Sequence, residues 1–449
     1  MLANFFTFKK GFYYSALVLA VPGLLQRLVS VIVPLVDNMM VGGINANAVA
    51  GVTVVNQIMF IFMVIVFGIG GAAGIFIAQY NGAGNATKVT HYFLIQIFVS
   101  CAIGLLFFVL LSFFPNSLLR IFVDDEAVFY YAHIYLAYTK YVTLLFPISG
   151  SVALSFRKLG YMKFPLYIAI IASFFSIFLN AGLIHGNFGM PAMGVAGAGL
   201  GTLVARFIEL IVSIGSTIVL ATPIKLKLLD LFKVEKSTVA NFIQKGKGLV
   251  FNELLWAIGF QSLIIAYTQR IGENVAIFSM ASVFIAVMAS GMGGTGSAIS
   301  YIIGNQLGKG DFAGAKRDSQ RLIKMSACIG ICLGIITTIV SYFVLRTYNV
   351  DPSAIQMAQY IIIVAAIFNS LHYLTGSFYF ILSAGGDMRS VLIIDAGWIW
   401  VTVFVAFMVG FLNIPILWHF TAVQFLVLLN ICISFHFYKK ENWVINLTV

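Results

Sequence analysis

Residues 48–79 read AVAGVTVVNQIMFIFMVIVFGIGGAAGIFIAQ, thirty-two consecutive positions without a formal charge. At 1.5 Å per residue a helix of that length measures about 48 Å, more than a hydrocarbon core of about 30 Å requires. Runs of the same kind recur on both sides, broken by Gly, Pro, Asn and clusters of charge. They predict helices near 14–41, 48–79, 91–113, 127–155, 165–185 and 193–221, then near 243–269, 275–306, 319–345, 354–384, 390–411 and 415–437. The first run follows Lys9 and Lys10 as a signal peptide would, but it continues past Pro22 to about Val41, too long for a cleaved segment.

The composition agrees. The chain has 449 residues, 61% hydrophobic and 9% charged, where a soluble domain carries roughly 25% charged residues. So few charges cannot cover a water-facing surface. The net charge of +11 raises the question of nucleic acid, yet no polar fold is available to present a basic patch, so none is expected as a partner. Cys101, Cys328, Cys332 and Cys432 all lie inside apolar runs and behave as small hydrophobes, which indicates neither disulfides nor a metal framework.

Topology accounts for the positive charge. With the N-terminus inside, twenty of the 26 Lys and Arg residues fall in inner segments, among them Lys88, Arg157, Lys158, Lys225, Lys227, Lys309 and Lys440. The outer loops hold only Arg120, Arg270 and Arg346. That asymmetry predicts an even number of spans with both termini cytoplasmic, in the cell membrane.

The two halves also match each other at an offset of about 226 residues. Gln79-Tyr-Asn-Gly82-Ala-Gly84-Asn85 aligns with Asn305-Gln-Leu-Gly308-Lys-Gly310-Asp311, and Gly160-Tyr-Met-Lys163 aligns with Gly386-Asp-Met-Arg389. Six spans per half give both halves one orientation, related by an axis along the membrane normal. The fold class is therefore all-α integral membrane, twelve transmembrane helices in two pseudo-symmetric six-helix bundles. The expected organisation is an N-lobe at 1–221, a cytoplasmic linker at 222–241 and a C-lobe with a short tail at 242–449. Gly68, Gly70, Gly71 and Gly74, echoed by Gly291, Gly293, Gly294 and Gly296, permit close helix approach. Their spacing superficially matches a dinucleotide fingerprint, but no strand precedes them.

Several motifs in order then resemble one family. They are Leu35-Val-Asp37-Asn-Met-Met-Val-Gly42, Ala78-Gln79-Tyr-Asn-Gly82, Asn180 followed by Gly194-Val-Ala-Gly197, Asn252-Glu253-Leu-Leu-Trp256, Ile303-Gly304-Asn305, and Ala384-Gly385-Gly386-Asp387. Over nearly the whole chain the sequence resembles multidrug and toxic compound extrusion (MATE) transporters, of the multidrug/oligosaccharidyl-lipid/polysaccharide exporter superfamily. The resemblance implies cation-coupled efflux. In such relatives an aspartate of span one joins an asparagine of span five and a threonine of span six in a cation site, matching Asp37, Asn180 and Thr202 here. Many carry a second carboxylate four residues after the asparagine; this chain has Ile184, one charge and one ligand fewer.

Seven charged residues remain inside spans: Arg27, Asp37, Lys140, Arg206, Glu209, Glu253 and Asp395. A charge at that depth is costly, so each is a candidate for function or internal pairing. Arg206 and Glu209, three apart, read as a pair on one helix face. Asp395 reads as a structural partner for a basic end such as Arg389, and Lys140 as snorkelling or meeting an aromatic face. Asp37 is the leading functional carboxylate, suited to Na⁺, a proton or a cationic substrate. Glu253, about 10 Å along its helix from Lys247, is a second proton-carrier candidate. The repeat makes Arg27 its pseudo-symmetric counterpart, and the two are candidates for an inward-side gate. Asn56, Gln57, Asn252, Trp256, Gln261, His372, Tyr373 and Tyr379 are candidate linings of a substrate cleft, with aromatic faces favouring cations. The sequons at Asn85 and Asn446 fall on the inner side and should carry no glycan.

The leading reading is an antiporter, not an enzyme, that exports organic, cationic or amphipathic small molecules by alternating access. Its coupling ion is Na⁺ or H⁺, with no other cofactor, and no metal site is implied beyond Na⁺ at Asp37, Asn180 and Thr202. It is expected to work as a monomer in contact with membrane lipid. A lipid-linked oligosaccharide flippase is the alternative, but it needs a cationic cavity, and only Arg27 offers one. A channel lacks a filter loop, and an embedded enzyme lacks a catalytic motif.

Overall fold

The structure, a computed structural model, describes residues 10–220, 222–224, 230, 233–268, 274–347, 351–412 and 414–449. Lys9, Lys225, Lys227 and Arg270 of the charge argument lie outside them. The described chain is helical, with no strand. The first half comprises α1 (Lys10–Gly42), α2 (Ala46–Gly82), α3 (Ala86–Phe113), the short α4 (Pro115–Arg120), α5 (Glu126–Thr139), α6 (Val142–Lys158), α7 (Lys163–His185) and α8 (Val195–Val219). The second comprises α9 (Lys236–Thr268), α10 (Asn274–Gly308), α11 (Phe312–Val344), α12 (Pro352–Ala384), α13 (Met388–Leu392), α14 (Trp398–Gly410), α15 (Ile416–Gln424) and α16 (Leu426–Lys439). Each expected span has a helical counterpart. α9 begins at Lys236, inside the stretch read as linker, and Lys88 of α3 binds Glu235 just before it at 2.8 Å. That ammonium and Ser237 hold the Glu235 carboxyl below its ordinary pKa.

Eleven described segments are long and apolar enough to cross a membrane. The fourth expected span is not among them because it is broken into α5 and α6, and Pro147 explains the break. Proline in a helix removes one backbone hydrogen bond and crowds the carbonyl four residues earlier, here Thr143. The chain answers with a tight turn at Lys140–Tyr141, where Tyr141 N–H bonds Tyr138 O at 3.3 Å, Thr143 N–H bonds Lys140 O at 3.2 Å and Leu144 N–H bonds Tyr141 O at 3.1 Å. The Thr143 hydroxyl adds a bond to Lys140 O at 2.7 Å. α3 passes close to this turn because Gly104 has no side chain; a Cβ there would lie 2.8 Å from Pro147 Cγ. Span eleven runs α13, a π-helical turn at Ile393–Gly397 holding Asp395, and α14. Lys140 sits at the break with its ammonium 5.5 Å from the Tyr141 ring.

Large apolar side chains stay on the outside, such as Val219 and Ile218 at 83% and 76% exposed. Lipid, not water, is the solvent these faces fit.

The chain forms two compact units, each drawing on both sequence halves. One holds the chain to Leu28, Ala78–Gly84 and Leu255–Val449; the other holds Val29–Ile77 and Asn85–Leu254. Within each unit a borrowed half-helix is pinned by glycine. In the first, a Cβ on Gly294 of α10 would lie 2.7 Å from Ala20 O and 2.9 Å from Leu24 Cα of α1. In the second, a Cβ on Gly68 of α2 would lie 2.9 Å from Val250 Cα of α9. Gly68 and Gly294, like Leu24 and Val250, are 226 residues apart, so the repeat seen in the motifs is also a repeat of helix packing.

Turn geometry repeats too. Gly84 and Gly310 have φ of 75° and 76°, and Gly160 and Gly386 have 86° and 78°, left-handed values that glycine adopts without strain. Directly after the first pair, Asn85 and Asp311 cap α3 and α11 by accepting the backbone N–H of Lys88 and Gly314 at 3.0 and 2.8 Å.

Replacing Gly294 by Ala forces a methyl into backbone and should cost about 1–3 kcal/mol of stability, read as a lower thermal midpoint in detergent. Gly11→Ala, where nothing lies within 4 Å, should cause no loss. Equal midpoints for the two variants would contradict the packing.

Candidate functional site

The second unit brings together the three residues expected to form a cation site. Asp37 lies near the end of α1, half-buried, and Asn180 near the end of α7, 1% exposed. Asn180 Nδ2 donates to Asp37 Oδ1 at 2.8 Å. Thr202 on α8 lies near the buried Tyr135 hydroxyl of α5, and Tyr135 lies within electrostatic reach of both Asp37 and Arg206. The amide of Asn180 is held at close quarters by α8: a Cβ on Gly201 would overlap its Oδ1. That oxygen is buried and has no hydrogen-bond partner. A buried carbonyl without a donor is costly. Beside a carboxylate and two hydroxyls, it faces the chemistry a cation or an added proton would complete.

Arg206 and Glu209 pair on α8, as their spacing implied. The guanidinium also lies 5.7 Å from the Phe146 ring centroid, and its charge acts on Asp37. Ile184 is buried in an apolar cluster with Val41, Val52, Tyr135 and Val195, so its position contributes no ligand. Tyr135 and Arg206 are therefore members of this chamber beyond the three expected residues. Arg206 had a signal in the sequence, since 202, 206 and 209 recur at i, i+4 and i+7 on one helix face. Tyr135 had none, because an aromatic in an apolar run reads as packing.

The remaining candidates are dispersed. In the second unit Glu253 lies on α9 beside Gly68, where a Cβ would be 3.5 Å from Glu253 Cγ; Asn252 next to it is fully buried, and Asn56 and Gln57 are exposed on α2. In the first unit Arg27 runs along Gly293 of α10, where a Cβ would be 2.9 Å from its Nε. Trp256 stacks on Phe260 at 5.3 Å, and Gln261 is exposed. His372 Nε2 contacts Gln424 Oε1 at 2.8 Å. Tyr373 is 1% exposed with its hydroxyl donating to Met288 O at 2.8 Å, so its phenol is already engaged. Tyr379 is half-buried beside Phe380. Arg27 and Glu253 belong to different compact units.

The chain matches the MatE family model twice, over residues 22–181 and 250–418, which places one copy in each half of the internal repeat. It is 24% identical to a probable multidrug resistance protein NorM of Thermotoga maritima, over 76% of this chain and 73% of the relative. It is 25% identical to the multidrug resistance protein NorM of Photobacterium profundum, over 84% and 83%. Among solved structures, an outward-facing multidrug resistance MATE family transporter of the MOP superfamily superposes with a TM-score of 0.87 at 16% identity, covering 96% of each chain. That structural likeness extends to the fold.

Substituting Gly201 by Ala should push Asn180 off Asp37. Losing a hydrogen bond to a charged group should lower gradient-driven transport by roughly ten-fold or more. Gly215→Ala on the same helix, with nothing within 4 Å, should transport normally, and matching activities for the two variants would show that the Asn180–Asp37 bond is irrelevant to transport.

Proposed function

Because the chain belongs to the MatE family of transporters, we propose that it is a cation-coupled antiporter exporting organic cations or amphiphiles, with Asp37, Asn180 and Thr202 as a coupling site. One observation carries this reading: a carboxylate inside the membrane is held by an amide whose own oxygen is buried without a donor. A purely structural pair would satisfy both ends of that amide. Charge in a membrane interior that serves no packing purpose marks an ion pathway. The multidrug resistance relatives support the choice of drug-like substrates.

Coupling requires that the bound cation stabilise one conformation over the other, because a ligand shifts an equilibrium only by its differential affinity. Asp37 is well placed for that role. Its helix, α1, belongs to one compact unit up to Leu28 and to the other from Val29, so a change of charge at Asp37 acts on a helix common to both. Glu253 on α9 and Arg27 on α1 are further coupling and gating residues in this proposal. The excess of Lys and Arg in alternate connections supports a cytoplasmic location for both termini in the cell membrane. The lipid-linked oligosaccharide flippase is the weaker reading, since the chamber around Asp37 offers a carboxylate where a pyrophosphate would need cations.

Purified protein in liposomes, given an organic cation such as ethidium and an imposed cation gradient, should accumulate it against its own gradient. Asp37→Asn should abolish that uphill movement, and Glu253→Gln should reduce it. Undiminished uphill flux in both variants would refute the site. Movement of a lipid-linked oligosaccharide without any cation transport would favour the flippase.

A further inference from the structure

The half of α1 that belongs to the first unit is packed on one side and open on another. Toward α10 it is pinned by the Gly294 contact at Ala20 and Leu24. Toward α11 it leaves an apolar cavity of about 400 Å³, lined among others by Tyr13, Leu17, Leu24, Cys328, Cys332 and Leu333. Tyr13 and Leu24 are eleven positions apart, about 16 Å of helix. That is close to the depth of one leaflet, half of a hydrocarbon core of about 30 Å. Leu17 is 38% exposed and both thiols are exposed, so the groove opens sideways to lipid.

Positive charge stands at one end of it, the end of α11 that the distribution of Lys and Arg assigns to the cytoplasm. Arg317, Arg321, Lys324 and Cys328 follow at i, i+4, i+7 and i+11, so a basic stripe on one face of α11 runs into the groove. The two are also adjacent in space: the Arg321 guanidinium lies 5.3 Å from the ring centroid of Phe12, whose ring meets that of Tyr13 in the lining. One buried carboxylate serves both guanidiniums. Asp318 Oδ1 accepts from Arg321 Nη1 at 2.7 Å and from Arg317 Nε at 3.3 Å, and Asp318 Oδ2 accepts from Gln306 Nε2 at 2.6 Å. Two guanidiniums on one carboxylate leave a positive excess at the mouth of the groove, where the Arg317 side chain is 62% exposed. Lys316, beside them, is neutralised by Glu441.

We infer that this groove holds an anionic phospholipid of the cytoplasmic leaflet, with an acyl chain along Leu17, Leu24 and Cys332 and the phosphate against Arg317 and Arg321. A guanidinium presents its donors in a planar fork that matches phosphate, and basic residues between helices on the cytoplasmic side attract acidic headgroups. An apolar wall as deep as a leaflet fits an extended chain, and the positive mouth turns away the organic cations proposed above as cargo. Lipid in this place fills the space between α1 and α11 and braces the half-helix against the first unit, the same helix whose continuation from Val29 belongs to the second.

The thiols are built-in reporters of the groove. The full-length protein in nonionic detergent is titrated with dioleoyl phosphatidylglycerol or dioleoyl phosphatidylcholine, and alkylation of each cysteine by N-ethylmaleimide is followed by peptide mass spectrometry. Phosphatidylglycerol should slow alkylation of Cys328 and Cys332 several-fold and leave the exposed Cys432 of α16 unchanged. Phosphatidylcholine at the same concentration should protect none of the three. Arg321→Gln and Arg317→Gln should each raise the phosphatidylglycerol concentration that gives half protection, on the order of five-fold for one lost charge. Arg317→Lys, which keeps the charge, should stay within two-fold of the wild type by the same reasoning. Equal protection by the two lipids, protection that reaches Cys432 as strongly, or an unchanged half-protection in Arg317→Gln would overturn the inference, even if Arg321→Gln failed to fold. So would ethidium shielding both thiols where phosphatidylglycerol does not, which would assign the groove to the cargo.

Discussion

A charge removed from water must find a partner inside the protein, and this chain has few charges to spend. That constraint organises what the structure shows. Arg206 is met by Glu209 and a ring, and Lys140 lies over an aromatic face. At one end of α10 and α11 the buried Asp318 gathers Gln306, Arg317 and Arg321. Asp37 differs: it accepts a hydrogen bond from a neutral amide, and that amide keeps one buried oxygen unsatisfied. This exception is the site proposed above for the coupling cation.

Glycine supplies the second constraint. Lipid gives little hydrophobic drive for helices to associate, so close backbone contact through small residues takes over. Gly68 against Val250 and Gly294 against Leu24 are the same contact made twice, once in each unit. They fix half of α9 beside α2 and half of α1 beside α10, so the compact units do not follow the sequence halves. At the far ends of α2 and α10 the relation becomes reciprocal within one unit: Gly82 faces the Asn305 backbone and Gly308 faces that of Gln79. The C-terminal segment closes over the same place, where Leu447 N–H bonds Gln79 Oε1 at 2.7 Å and Trp443 is 1% exposed.

Much of this was legible in the residues. Long uncharged runs announced helices because a helix satisfies its own backbone in lipid, and the repeat marked Gly84-Asn85 and Gly310-Asp311 as corresponding positions. The Arg206–Glu209 pair followed from spacing alone. Other features were not legible, for physical reasons. The break at Lys140–Tyr141 precedes the proline that causes it, and the residues between look helical. Apolar pattern shows that α1 is buried in something but not in what, so its division between units at Leu28 was invisible. The facing of His372 and the engagement of Tyr373 with Met288 depend on neighbours far away in sequence. Tyr135 and the orphaned oxygen of Asn180 needed three helices in place before they meant anything.

The central claim, as proposed above, is that the coupling cation binds at the Asp37 carboxylate, and infrared difference spectroscopy of the protein in lipid, between high and low pH and between Na⁺ and choline, observes this directly. A carboxyl or carboxylate band that responds to one of the two cations, shifts when substrate is added and is missing in Asp37→Asn is the predicted result. A spectrum in which every carboxyl band of the wild type persists in Asp37→Asn and ignores substrate would contradict the account.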